Sequence, residues 1–123
     1  MQTEPATHTG PVRRFTDTTY RPLCNNLGEI RDEIDRLDDA IVALMAERAM
    51  YVKDAARFKR DAYQVSAPAR QAEVYAKVRA LADRHNRGFE NLPDVVETAY
   101  RAMVAAFIAN EQSYFLNTQP IAD

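Results

Sequence analysis

Arg48 stands where a hydrophobic residue is due. Leu27, Ile30, Ile34, Leu37, Ile41 and Leu44 recur in alternating steps of three and four, as on one face of an α-helix, and the seam next falls on position 48. A guanidinium is costly to desolvate unless an acidic side chain or an anionic ligand faces it. Spacing alone leaves two readings: an arginine that meets an anion, and one that lays its stem on the apolar edge while its head reaches solvent.

Lys59 follows eleven residues later, and on a continuous helix that step returns to within about 20° of the same face. Arg48, Val52, Ala55 and Lys59 would then form one stripe, with small residues between two cations whose α-carbons lie about 16 Å apart. Two long side chains leaning inward could close that gap to the size of a small dicarboxylate; a solvated basic face is the competing reading. Arg31 lies 17 residues before Arg48, about 100° around such a helix and roughly 25 Å along it. It cannot serve the same site within one chain, but in an antiparallel pair of chains it could. Glu111 follows Val104, Phe107 and Ile108 on the apolar side of a later segment, where an ionised carboxylate is costly to bury. Its neighbours Asn110 and Gln112 keep an exposed position open.

These residues need helices to hold them. Asn26 can accept from free N–H groups of the first turn while Glu29 reaches back, a capping-box pattern, and neither proline nor glycine interrupts Glu29 to Lys59. The expected helix has roughly 33 residues and a length of about 50 Å, against a radius of gyration near 14 Å for a compact domain of this size. Pairing with a second copy is the economical way to bury it. Arg60 to Val65 breaks the period, and Ser66 is expected to cap a second helix with Pro68 in its first turn and Val74, Val78 and Leu81 on its inner face. Asn86-Arg87-Gly88 would end that helix with a left-handed glycine. Asn91, Pro93 and Asp94 would open a third, running through Val96, Ala99, Met103, Phe107 and Tyr114 to about Leu116. The expectation is an all-α chain of three helices with a very long first helix, forming an intertwined homodimer. Residues 1–25 read as an extended or partly disordered arm, 26–117 as the helical domain and 118–123 as a tail.

Composition narrows the partners. The chain has 123 residues, 46% apolar and 28% charged, which fits one folded globular domain. A formal net charge of −2 lacks the basic footprint of a nucleic-acid binder. No stretch has the length of a membrane span, and the first 25 residues lack the apolar centre of a secretory signal, so a cytoplasmic protein is expected. One cysteine, Cys24, and two histidines, His8 and His85, are poor material for a metal site, and none is expected.

Three segments, LGEIRDEIDRLDDAIVALMAER, YVKDAARFKRDAYQVSAPAR and FIANEQSYF, together resemble the all-helical chorismate mutases and their relatives the isochorismate-pyruvate lyases over about Cys24 to Phe115. The pattern Ile30-Arg31-x-x-Ile34-Asp35-x-x-Asp38, followed by Arg48-x-x-x-Val52-x-x-Ala55-x-x-x-Lys59, carries the likeness. The resemblance implies the chorismate mutase type II fold and a dimer with shared active sites, to which Arg31 comes from one chain and Arg48 and Lys59 from the other. It implies a small dianionic substrate, chorismate or isochorismate, and a reaction without nucleophile, metal or cofactor. Such an enzyme orients the enolpyruvyl arm over the ring and stabilises charge on the breaking ether oxygen. Lys59 would donate to that oxygen, with Glu111 or, one register away, Gln112 as second donor. Val52, Ala55, Arg70, Gln71 and Ile108 would complete the binding surface.

Two departures bear on the reaction. Many mutases carry an acidic residue in the loop before the second helix and an Arg-Glu pair in its first turn, where this chain has Ser66-Ala67-Pro68 and Arg70-Gln71. Gln71 could still bond a ring hydroxyl, while the Ala-Pro loop resembles the lyases. The expected activity is chorismate to prephenate, with isochorismate cleavage to salicylate and pyruvate as the alternative. A non-catalytic helical dimerisation module would make the cations at 31, 48 and 59 a coincidence.

Overall fold

The computed structural model describes residues 2–121, and every regular element among them is helical. Helix α1 spans Leu27–Ala55 and continues as a single 3-10 turn, Ala56–Phe58; helices α2 (Ala62–Ser66), α3 (Pro68–His85) and α4 (Leu92–Leu116) follow. The all-helical expectation therefore holds, with one short helix more than the sequence reading had. No helix among the described residues is long and apolar enough to cross a membrane. Packing divides the chain into two compact units, Met1–Ala46 and Glu47–Asp123.

In the first unit the arm closes the start of α1. Thr7 O accepts from Gly28 N at 2.8 Å, Asn26 Oδ1 accepts from Glu29 N at 2.9 Å, and Glu29 Oε2 accepts from Asn25 N at 2.9 Å. The capping box is thus present, with the glutamate reaching one residue further back than the usual pattern. A side chain at Gly28 would bring its Cβ to 3.1 Å from Thr7 O, so the close approach of the arm rests on that glycine. The apolar seam is open to solvent: Ile30, Ile34, Leu37, Ile41 and Leu44 are 41 to 65% exposed.

In the second unit α3 packs along α4, and α2 and the 3-10 turn lie against α4 as well. Val65, 1% exposed, is its most enclosed large side chain, with Ala56, Tyr75, Val78, Ala82 and Val104 around the same core. The inner face of α3 is turned slightly from the expected one: Tyr75, Val78 and Ala82 are buried, while Val74 and Leu81 are half-buried. Tyr114, expected on the inner stripe of α4, is exposed. Outside, Arg79 of α3 pairs with Asp94 and Glu97 of α4 at 2.9 and 3.1 Å. The Glu97 carboxyl is held below its ordinary value, chiefly by Arg101 and then by Arg79. Its contribution to stability is therefore present above the ordinary glutamate range and is lost as pH falls through the lowered value.

Three local expectations are corrected. Helix α1 ends at Ala55, and Lys59 lies beyond it in extended backbone, φ −103° and ψ 143°. Arg60 to Val65 is largely helix α2, whose start repeats the box at α1: Asp61 accepts from Gln64 N at 2.8 Å, and Gln64 Oε1 accepts from Arg60 N at 2.7 Å. Ser66 closes α2 instead of capping α3; the cap position of α3 is Ala67, which makes no side-chain bond there. Asn91 likewise caps α4 without a side-chain bond. The turn after α3 is held by Asn86, whose Oδ1 accepts from Gly88 N and Phe89 N at 3.1 and 2.8 Å, with Gly88 at φ 103°.

Ala67 has φ 45° and ψ 63°, a left-handed conformation that costs an L-residue about 1–2 kcal/mol. Ala67→Gly is expected to raise unfolding stability by up to about 1 kcal/mol, the released strain outweighing the greater freedom of the unfolded glycine. Denaturant unfolding measures it; a loss of stability would mean that the methyl group's packing matters more than the strain.

Candidate active site

Lys59 reaches its place by an indirect route. Four residues earlier the α-helix stops, the 3-10 turn tightens the chain, and Arg60 N is tied to Gln64 at the start of α2. The ammonium then points back under α2. Lys59 Nζ donates to Gln64 O and to Glu111 Oε2, each at 3.2 Å. An ammonium has three N–H donors, so one remains.

Glu111 is 5% exposed, against the solvent position that its polar neighbours left open. No hydrogen bond among the described residues engages its Oε1, although no fully buried side-chain polar atom there lacks a partner. That oxygen therefore retains access to open space. The space is a cavity of about 370 Å³, within the range of small-molecule sites. Arg48, Tyr51, Val52 and Ala55 of α1 line one side and Val104, Phe107, Ile108 and Glu111 of α4 another. Lys59, the residues Val65 to Ala67, and Arg70, Gln71 and Val74 of α3 complete it. Its walls are mostly apolar, and it is open to solvent on the side of the exposed Tyr51.

Of the residues singled out from the sequence, Arg48, Val52, Ala55, Lys59, Arg70, Gln71, Ile108 and Glu111 border this cavity. Gln112 does not. Its Nε2 donates to Ala62 O at 2.9 Å and Ser66 Oγ at 3.4 Å, so it braces α2 from behind. Arg31 lies in the other unit, exposed in the first turns of α1, and is not a lining residue of the cavity. Sequence reasoning missed Val65, Ser66 and Ala67, although Asp61 and Gln64 carry the spacing of a capping box that announces α2. It also missed Phe107 as a partner of Arg48, whose guanidinium lies 5.3 Å from that ring's centroid.

The charges have an order. Lys59 is paired with Glu111, and Arg70 with Glu73 outside. Arg48 has no carboxylate within ion-pair distance among the described residues, and neither has Arg31. Arg48, half-buried and held against Phe107, is thus the lining cation left for a carboxylate, and guanidinium matches one bidentately. The arrangement can bind an anion and place one ammonium N–H beside it. No group of three or more possible metal ligands occurs among the described residues.

Comparison with known proteins agrees with the geometry. The chorismate mutase type II family matches residues 30–112. The isochorismate pyruvate lyase of Pseudomonas aeruginosa is 34% identical over 101 residues, covering 80% of this chain and 94% of that protein. The chorismate mutase of Methanocaldococcus jannaschii is 35% identical over 65 residues, 52% of this chain and 66% of that one. With that match spanning every lining residue of the cavity, the chain belongs to the chorismate mutase type II family.

Proposed function

We propose that the protein is a cytoplasmic homodimeric chorismate mutase that rearranges chorismate to prephenate in two shared active sites. The observation that carries this reading is the free third N–H of Lys59 in a mostly apolar cavity next to Arg48. A Claisen rearrangement asks for little else: the substrate supplies both breaking and forming bonds, and the protein holds it folded while a donor meets the charge growing on the ether oxygen. A substrate with two carboxylates needs more than Arg48, and Arg31 of a second chain is the cation we assign to the other carboxylate. The exposed seam of α1 supports the assembly, because contiguous apolar surface of this kind marks an interface.

A second reading is isochorismate-pyruvate lyase, favoured by the relative of that name matching 94% of its own length and by the Ser66-Ala67-Pro68 loop. The same ammonium would then assist departure of the enolpyruvyl oxygen. Incubating the purified protein separately with chorismate and isochorismate and identifying the products decides between them. Prephenate from chorismate is expected; salicylate and pyruvate from isochorismate alone would replace the mutase reading, and no turnover of either would remove both.

Glu111 gives a second test. A carboxylate accepts from Lys59 but has no proton to donate, so a donor role at the ether oxygen requires the neutral acid. If the group donates there, Glu111→Gln, a permanent donor of similar shape, is expected to keep its turnover, whereas Glu111→Ala is expected to lose most of it. Unchanged turnover in Glu111→Ala would take the donor role from Glu111, and Gln112, committed to Ala62 and Ser66, could not inherit it.

A further inference from the structure

Gln71 is tied at both ends of its amide. Nε2 donates to Ser66 O at 2.6 Å, and Oε1 accepts from the hydroxyl of Tyr75, one turn further along α3, at 3.3 Å. The two ties act differently. A hydroxyl serves as donor or acceptor and would tolerate a flipped amide, whereas Ser66 O would then face another oxygen. Ser66 sets the polarity of the amide, and Tyr75 holds the side chain in place.

Tyr75 is itself fixed from outside the cavity. It is 8% exposed and does not line the cavity. The Arg101 guanidinium of α4 lies 4.2 Å from its ring centroid, stacked as a cation on an aromatic face. Arg101 is held in turn by Glu97 at 2.7 Å, and Glu97 also binds Arg79. A chain of contacts therefore leads from the outer surface of α3 and α4 to one amide in the wall. Gln71, a lining residue of the cavity, keeps one N–H and spare acceptor capacity, a pair that suits a neutral hydroxyl better than a carboxylate.

We propose that Tyr75 is a positioning residue that fixes Gln71 to read the ring hydroxyl of the substrate, and so governs how well the site tells hydroxyl isomers apart. The inference rests on the functional reading above, since chorismate and isochorismate differ in where that hydroxyl sits. Its physical basis is entropic: a glutamine whose rotamer is already set loses little freedom when it bonds a ligand.

Tyr75→Phe keeps the ring, its burial and its contact with Arg101, and removes only the tie to Gln71. On the substrate that the wild-type enzyme turns over, KM is expected to rise about fivefold with kcat within about twofold, as suits loss of one hydrogen bond's worth of ordering. Thermal unfolding should be little changed, and a substrate analogue lacking the ring hydroxyl should bind both proteins equally. In a Gln71→Ala background the same replacement should have no further effect on KM. An unchanged KM in Tyr75→Phe, or an effect that persists without Gln71, overturns the proposal. A wild-type protein inert toward both isomers removes the functional reading and this inference with it; an active one with an indifferent Tyr75→Phe removes the inference alone.

Discussion

Lys59→Ala is expected to lower turnover by about a hundredfold or more, with a much smaller effect on KM. Removing one preorganised donor from a site of developing charge costs about 3–4 kcal/mol in the transition state. The ground state has less to lose, because an ether oxygen in the bound substrate carries little charge before the bond breaks. The variant has a second consequence: Glu111, 5% exposed, loses the ammonium that neutralises it, and breaking a buried pair destabilises the fold. Turnover must therefore be expressed per folded site, with unfolding curves measured beside the kinetics. A change confined to KM would show that Lys59 holds the substrate without assisting the bond change.

Mixing two dead proteins is expected to restore activity. Arg31→Ala and Lys59→Ala, each inactive as a pure dimer, are refolded together so that chains pair at random. In a mixed dimer one site carries both lesions and the other neither, so each mixed dimer should have about half the wild-type activity and the whole mixture about a quarter. No recovery, in a mixture shown to contain mixed dimers, would mean that Arg31 and Lys59 act in the same chain or that Arg31 has no part in the site. The experiment bears on what a single chain leaves open, because Arg31 is not a lining residue of its own chain's cavity.

What was legible in the sequence was what local periodicity encodes. The seam from Leu27 to Leu44 specified α1, and its violation at position 48 singled out a half-buried cation against Phe107. Lys59 does border the cavity, but by a path other than the expected one. The stripe argument carried the α-helix to Lys59, whereas it ends at Ala55 and the ammonium arrives by way of a 3-10 turn and an extended residue. Nothing in a helical wheel foresees that, because the end is fixed by Asp61 and Gln64 further on. Helix α2 escaped notice because five residues are too few to show a period. The choice between Glu111 and Gln112 is a single step of about 100° around α4. The resemblance did not separate them, whereas packing sets Glu111 on the cavity and ties Gln112 to Ala62 and Ser66.

The open seam of α1 also changes what the word stability means for this protein. If those side chains are covered by a second copy, folding and association are one equilibrium, and the free energy of the native state includes the chemical potential of its partner. Melting temperatures then rise with protein concentration, and dilution removes activity by mass action without harming a single chain. Two laboratories working at different concentrations would obtain different values for the same molecule, and both would be right.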